Sequence, residues 1–444
     1  MTDDVVVGGG FAGLSAAVEL AARGRKVLVL ERRVFLGGRA FSFDDRITGT
    51  TVDNGQHLMM GCYRSTLAFL NRIGSLDKLR HVPDGNMTFV EPGGRQSVFQ
   101  YANLPAPFHL LGGLARLGTL GWSDRISGLK LGLALRRLNG QAEDLVDTTV
   151  REWLIQNEQT EKIQHRFWDP LAHATLNESP DRAAADMFAV VLKQGFMGTR
   201  EDSSLILSRV GLSDLYVTGA RQFIESRDGR IRLNAPVQYL EHDQNRVTSL
   251  VLRNGERIKA STFTFAVPPA SLLFILGSES AKFNPVLSRL EEFKTSPIVS
   301  INLWFDRPVT DAAMAGLLDS PIEWVFNKNL ISGTDGTLQQ LALVVSGAHK
   351  LALLPKEEIV ETAVREIEKY FPEARRERLV HTHVVREREA TMSHITGMSR
   401  LRPQTRTQAE NLFLAGDWIA TGLPATIESA VLSGQAAAQA ILDR

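Results

Sequence analysis

Residues 5–31, VVVGGGFAGLSAAVELAARGRKVLVLE, restrict what this chain can fold into more than any other stretch. An apolar run at 5–7 leads into Gly8, Gly10 and Gly13. Small and apolar residues then recur at helical spacing to about Arg23, and a second apolar run, 27–30, ends at Glu31. Leu14, Ala17, Val18 and Ala21 share one helical face, and Gly24 stands where a helix C-terminus is expected. The pattern predicts a βαβ unit that binds a dinucleotide. Gly8 serves the tight turn, Gly10 the approach of a pyrophosphate to the backbone, and Gly13 the close packing of helix on strand. Phosphates then meet the positive helix end at Phe11 and Ala12, and Glu31 is set to accept from a ribose diol.

At 444 residues the chain exceeds one ordinary domain and can bury two cores. A formal net charge of zero and no basic stripe speak against nucleic-acid binding. One cysteine, Cys62, excludes an internal disulfide framework and a thiolate zinc site, and reads as a packing residue. The N-terminus has no basic and apolar regions of the kind that make a signal peptide, so the expected compartment is the cytoplasm. Residues 96–115 carry no formal charge, but Gln96, Gln100, Asn103, Pro105 and Pro107 make them a poor membrane span.

After Glu31 comes RRVFLGGRA, where Gly37 and Gly38 permit close backbone approach and Arg39 can set a cation beside a diphosphate. The plainer alternative is a turn with a solvated arginine. Asp53, Asn54, Gln56 and His57 form a polar cluster ahead of a helix-like run at 63–73. Such a cluster beside a cofactor can orient a substrate or move a proton, which makes His57 and Asp53 the candidate catalytic residues. Asp53 capping a turn and His57 satisfying buried carbonyls is the other reading. Residues 104–138 are rich in Leu and Gly, with Arg116, Arg125, Lys130, Arg136 and Arg137 against Asp124. They suit an interfacial membrane segment or a helical cap over an internal cavity. On a helical wheel Lys130 and Arg137 fall beside Ile126, so two clean faces are not expected.

Residues 148–200 read as helical, with a proline-bounded joint at FWDPLAHATLNESPD. His165, Asp169 and His173 fit no familiar ligand spacing, and no metal is expected. The pattern turns to strands over 231–272: Val237, Tyr239, Val247, Leu250 and Leu252 alternate, Asn254-Gly255 marks a hairpin, and a β-branched and aromatic run ends at Ala266-Val267-Pro268-Pro269. Residues 299–305 and 340–345 read as strands of a second core, and 356–371 as a helix with a solvated face. The Arg/Glu-rich run 373–389, which includes His381 and His383, reads as an alternating edge strand and not as a ligand site. Residues 411–415 form a strand with Gly416-Asp417 at its carboxyl end, and a loop and closing helix follow with Pro424 near the first turn. Ligands in open α/β sheets lie beyond the carboxyl ends of strands, which places Asp417 toward a polyol hydroxyl.

Glu31, six residues, then Gly37-Gly38-Arg39 resembles the second fingerprint of the FAD-dependent amine oxidase and phytoene desaturase superfamily, and Gly416-Asp417 with its helix resembles the motif that closes those chains. The resemblance implies FAD. It places Gly8, Gly10, Phe11, Ala12, Gly13, Glu31, Arg32, Gly38 and Arg39 on the nucleotide half, and the backbone of Val237 at the adenine. Gly416, Asp417, Pro424, Ala425, Thr426 and Ile427 fall at the ribityl chain and flavin ring, where a helix N-terminus meets the charge that collects on reduction. The implied fold class is α/β (α+β overall). A Rossmann-like FAD-binding domain is assembled from 1–75, 210–270 and 400–444, and a substrate-binding domain of mixed sheet and helical cap from 76–209 and 271–399, with Val267-Pro268-Pro269 returning the chain to it.

DNGQHLMMGCYR at 53–64, LPAPFHLL at 104–111, FWDPLAHATLN at 167–177, INLWF at 301–305 and LFLAGDWIATGLPATIESAVLSG at 412–434 are similar to the squalene-associated FAD-dependent desaturases, whose better-defined activity is hydroxysqualene dehydroxylation. That resemblance implies reductive removal of a hydroxyl from a C30 allylic alcohol, giving squalene, water and oxidised flavin. The chemistry asks for a proton donor, with His57 or Asp53 available, a water-free pocket, and hydride from reduced flavin. Implied partners are a lipophilic C30 isoprenoid, an external reductant (NAD(P)H or a redox protein, since one dinucleotide fingerprint is present) and peripheral contact with the inner face of a membrane. Three alternatives stay open: an oxidative polyene desaturase, an amine oxidase with an aromatic cage, and the Rab escort and dissociation-inhibitor proteins, which bind prenyl chains without redox chemistry.

Overall fold

Strands from four distant parts of the chain build one five-stranded parallel sheet, in the order Arg230–Arg232, Val27–Leu30, Asp4–Val7, Thr262–Phe265, Leu412–Leu414. The structure, a computed structural model, describes residues 3–83, 86–104, 108–138, 142–334 and 336–444, with the side chains of Phe108, Leu110, Leu111 and Arg116 outside that description. Residues 105–107 of the LPAPFHLL stretch therefore lie outside the described residues. Both faces of the sheet are covered, which is why its strands read as continuous apolar runs. The helix Phe11–Ala22 and the closing helix Ile427–Leu442 pack on the face carrying Val6, Val29 and Phe413. Their axes come close because the contact is made of small residues: a Cβ on Gly434 would meet the Ala12 carbonyl oxygen at 2.2 Å, and Ser15 Oγ donates to Val431 O at 3.0 Å.

The opposite face, with Val5, Leu28, Phe263 and Leu414, is covered by the meander Val237–Asp243, Arg246–Leu252, Arg257–Ile258. Gly255, at φ +84°, makes its second turn as the Asn254-Gly255 pair predicts. Val237, Val247, Leu250 and Leu252 point inward, but Tyr239 is 41% exposed. The pairing shifts register between Val237 and Tyr239, and that bulge turns the tyrosine out of the alternation.

A second, seven-stranded sheet runs Leu379–Met392, Thr295–Phe305, Gln339–Val345, Trp324–Asn327, Met314–Leu317, Met87–Val90, Gln96–Phe99. The Arg/Glu-rich run is its edge strand, as expected. Val299, Ile301 and Leu303 face the helix Lys356–Tyr370 through Ile359, Ala363 and Ile367. Alternation sends Ser300, Asn302 and Trp304 to the other face, where Trp324, Phe326, Ala342 and Val344 continue into a block of helices between residues 108 and 196.

Within that block the helix Trp122–Arg137 departs from the wheel-based expectation. It presents Trp122 (77% exposed), Ile126 (56%), Leu129 (45%) and Leu133 (47%) to the outside at spacings of four, three and four, and buries Asp124, Ser127, Gly128, Leu131 and Leu135. Local bonding makes this division possible. Asp124 accepts from Gly121 N at 2.7 Å and from Thr160 Oγ1 at 2.5 Å, and Ser127 donates to Asp124 O at 2.8 Å, so polar groups occupy the inner face fully bonded and apolar ones are left outside. Lys130 turns aside to pair with Glu158. No helix among the described residues is long and apolar enough to cross a membrane.

A candidate cofactor site and an apolar cavity

The three glycines of the first loop do different things. Gly8 sits at φ +107°, and a Cβ there would strike Ala266 O at 2.3 Å; on Gly13 it would strike Gly8 O at 1.9 Å. Gly10 differs, with φ −90°, ψ −171° and nothing nearer than Gly38 Cα at 3.7 Å, so the protein alone does not require glycine there. The space it leaves opens onto a helix end that no side chain caps. The backbone N–H groups of Gly10, Phe11, Ala12 and Gly13 have no partner among the described residues, and neither do those of Arg32, Gly38 and Arg39. Converging unpaired donors at a helix N-terminus are the fit a pyrophosphate asks for.

Glu31, 6% exposed, accepts from Gly9 N and Arg33 N, each at 2.8 Å, which fixes the carboxylate at the end of its strand. Val237 is buried close by, tied through Ala235 N to Glu31 O at 2.8 Å. Arg39 does not stand free as a cation. It donates to Asp417 Oδ1 at 2.5 Å and to Ala390 O at 3.1 Å, which joins the two sequence motifs directly. Burial opposes the charge on Arg39, but Asp417 outweighs it and holds its pKa above the ordinary value.

The loop carrying Gly416 and Asp417 is held from behind. Buried Arg402 donates to the carbonyls of Leu423 (2.5 Å), Asp417 (2.9 Å) and Ile419 (2.5 Å), and burial lowers its pKa to about 10, so it stays charged at neutral pH. His394 Nε2 accepts from Ala425 N at 2.6 Å; burial, and then Arg402, pushes its pKa down to about 3, so the ring is neutral. Ala425 therefore spends its N–H inside the protein and Pro424 has none. Thr426, which caps the closing helix through Ser429 N, and Ile427 keep theirs unpaired among the described residues. Glu428 reaches away to Ser65 N, Thr66 N and Thr66 Oγ1 at 2.8, 2.8 and 2.7 Å, capping the helix Arg64–Arg72.

Asp53 is buried with Oδ1 on Leu212 N (2.9 Å) and Oδ2 on Lys328 Nζ (3.0 Å), and Lys328 also reaches Gln56 Oε1 at 2.7 Å. The His57 ring is half-buried, and burial and Lys328 together outweigh Asp53 and lower its pKa, which favours neutral imidazole. Asn54 braces the Gly37-Gly38 loop, accepting from Phe41 N at 3.0 Å and donating to Arg39 O at 3.0 Å. Lys328 and Tyr216 escaped the reading of the sequence. Tyr216 stacks on Phe11 with centroids 3.6 Å apart and bonds the carbonyls of Gly37 and Ala40 at 2.7 and 2.8 Å. His165 meets Asp169 at 2.9 Å and His173 meets Glu323 at 2.7 Å, in separate imidazole–carboxylate contacts.

An apolar cavity of about 860 Å³, counting its open mouth, lies in the helical block. Phe99, Leu114, Phe167, Trp168 and Leu192 form its interior, and Leu129 and Leu133 of the exposed stripe stand at its wall. The same apolar cluster continues to Trp324, Phe326, Ala342 and Val344 on the second sheet. Three buried polar atoms on that sheet face, Ser300 Oγ, Asn302 Nδ2 and Trp324 Nε1, have no partner among the described residues.

The family model described as flavin containing amine oxidoreductase matches residues 11–442. The chain is 28% identical to the hydroxysqualene dehydroxylase of Sinorhizobium fredii (strain NBRC 101917 / NGR234), over 98% of this chain and 97% of that one. It is also 28% identical to the 15-cis-phytoene desaturase of an Oncidium hybrid cultivar, over 99% of this chain and 77% of that one. Its fold is similar to that of the cyclohexylamine oxidase of Brevibacterium oxydans IH-35A, with a TM-score of 0.71 at 18% identity and all of both chains covered. With a family match over nearly its whole length, the chain belongs to the flavin-containing amine oxidoreductases and is an FAD-dependent oxidoreductase.

Proposed function

We propose that this oxidoreductase reductively removes the hydroxyl of hydroxysqualene to give squalene. The observation that carries the reading is the apolar cavity of the helical block, whose wall is built from Phe99, Leu114, Phe167, Trp168 and Leu192 and which suits a long hydrocarbon chain. Similarity to a hydroxysqualene dehydroxylase over almost all of both chains supports the same substrate.

In this reading residues 1–75, 210–270 and 400–444 form the FAD domain. The free N–H groups from Gly10 to Gly13 and of Gly38 and Arg39 hold the pyrophosphate, Glu31 the ribose, Val237 the adenine, and Asp417 with Thr426 and Ile427 the ribityl and ring. When bound and reduced, the flavin supplies hydride. The protein's share is to protonate the departing hydroxyl, so that the allylic C–O bond breaks to release water, and to keep other water away. His57 stands beside the Asp53–Lys328 pair, and burial, its largest influence, keeps the ring in the neutral form; Asp53 acts through Lys328 as a positioning group. The exposed stripe of the helix Trp122–Arg137, flanked by Arg125, Arg136 and Arg137, seats the cavity mouth on an anionic membrane surface from which an insoluble substrate enters. The electrons come from an external reductant.

A second reading, oxidative desaturation of a polyene, draws on the phytoene desaturases at similar identity. Anaerobic incubation of the photoreduced protein with hydroxysqualene separates the two. Squalene formed in step with flavin oxidation is expected; a reduced flavin that leaves hydroxysqualene untouched rejects the proposal.

A further inference from the structure

The edge strand and the turn after the second fingerprint meet at a cluster that the cofactor site does not use. His381 and His383, two apart on Leu379–Met392, project from the same face of the strand, in register with Trp304 and Asn302 of the neighbouring strand. Asp45 closes the cluster, with its Oδ2 3.1 Å from His381 Nε2 and 3.4 Å from His383 Nδ1. One nitrogen of each ring and this one oxygen lie within 4.8 Å of one another. We propose that Asp45, His381 and His383 form a binding site for a divalent transition-metal ion of the zinc type.

Four features carry it. The His383–Asp45 spacing of 3.4 Å matches the edge of a tetrahedron, about 3.3–3.4 Å when the bonds to zinc are ~2.0–2.1 Å, and the His381–Asp45 spacing of 3.1 Å lies within 0.3 Å of it. Asp45 is oriented in advance, because Ile47 N (3.0 Å), Thr48 N (2.9 Å) and Thr48 Oγ1 (3.0 Å) all donate to Oδ1 and leave Oδ2 to point at the rings. The rings are held as well: His381 lies 5.0 Å from the Trp304 ring and His383 lies 5.1 Å from Phe43, centroid to centroid. The carboxylate is 5% exposed and the His383 side chain 34%, so the cluster is backed by protein and open on one side, where water can complete the coordination. Two imidazoles and one carboxylate select zinc, cobalt or nickel over magnesium and calcium, which favour all-oxygen sets. The ion would fasten the turn at 45–50 to the strand whose far end, at Ala390, receives Arg39. Its place is architectural, apart from the residues assigned to the reaction.

The plain alternative is two imidazole–carboxylate hydrogen bonds with no ion, and the test separates the two. FAD-loaded full-length protein without a polyhistidine tag is stripped with EDTA, exchanged into metal-free buffer, titrated with zinc chloride by calorimetry, and assayed for zinc by mass spectrometry after gel filtration. One zinc per chain is expected. Asp45→Asn and His381→Ala should each weaken binding by more than about 100-fold, since altering only the groups that orient a ligand costs ~10–100-fold. His383→Ala, a change at the exposed rim, keeps the test decisive if the buried variants do not fold. Zinc should also raise the melting temperature of the wild type and leave that of His383→Ala unmoved. No zinc uptake by the wild type at 100-fold excess, or equal uptake by the variants, overturns the site.

Discussion

Gly10→Ala tests whether the first loop is shaped for a ligand or only for its own turn. A Cβ at Gly10 would touch nothing closer than 3.7 Å, and φ −90° suits alanine, so the folded apoprotein has room for it. Two small terms act on the apoprotein in opposite directions: alanine is a poorer helix N-cap than glycine by up to about 1 kcal/mol, and it restricts the unfolded chain in the protein's favour by ~0.4–1 kcal/mol. The apoprotein should therefore keep its stability to within about 1 kcal/mol. In the proposed site Gly10 lets the pyrophosphate approach the backbone beside the Gly37-Gly38 loop, and the methyl group would take up part of that approach. Displacing one phosphate oxygen from a charge-assisted hydrogen bond costs about 1.5–3 kcal/mol, or about 10- to 150-fold in the dissociation constant for FAD. Fluorescence quenching of FAD by deflavinated protein gives the affinity, and urea unfolding gives the stability. Gly13→Ala is the contrast: its Cβ would lie 1.9 Å from Gly8 O, so that apoprotein should lose about 1–3 kcal/mol or more. Wild-type FAD affinity in Gly10→Ala, or instability equal to that of Gly13→Ala, refutes the reasoning.

His394 gives a pH dependence. Its folded pKa, near 3, lies below the unfolded value of about 6.5, so below pH 6.5 the unfolded chain binds a proton that the folded one refuses. Stability is complete above that value and falls toward pH 3, by about 3 kcal/mol between pH 7 and 4.5. His394→Gln, which keeps an acceptor for Ala425 N, should flatten the urea-midpoint profile over that range by about one proton; an unchanged slope counts against it. Trp122→Ser with Ile126→Ser alters the exposed stripe at positions that do not line the cavity, and should lower co-sedimentation with phosphatidylglycerol vesicles at least about 10-fold while leaving FAD content intact. Equal sedimentation of the variant would detach the stripe from membranes.

What could be read in the sequence divides along physical lines. The strands, turns and helices around the glycine loops, Glu31 and Gly416-Asp417 were legible because a tight strand-to-helix turn prescribes residue types at fixed short spacings. Lys328 follows an ordinary apolar strand with no local signal, and its partner Asp53 lies 275 positions away, so only the fold reveals the pair. Tyr216 is likewise anonymous until its hydroxyl reaches the carbonyls of Gly37 and Ala40. The helix Trp122–Arg137 was opaque for a different reason. A helical wheel assumes that apolar residues go inward, and here bonded Asp124 and Ser127 take the inner face. Tyr239 shows the same limit in a strand, since one bulge reverses the faces that strict alternation predicts.

Arg39 alters the electrostatic account of the cofactor site. In sequence it is the obvious counter-charge for a diphosphate, yet its two terminal nitrogens go to Asp417 and Ala390. In the proposed site the charge on the phosphates is then left chiefly to unpaired backbone donors at the start of the helix Phe11–Ala22 and at Gly38. Backbone dipoles are fixed by the fold and carry no side-chain entropy to lose, so this is a preorganised way to hold an anion. It also makes the site depend on closing the chain. Asp417 sits 378 positions from Arg39, and the loop bearing it is held by Arg402 through the carbonyls of Asp417, Ile419 and Leu423. The N-terminal cradle and the C-terminal loop therefore take their working geometry from each other, which explains why a motif confined to residues 5–31 identifies a dinucleotide site without being one by itself.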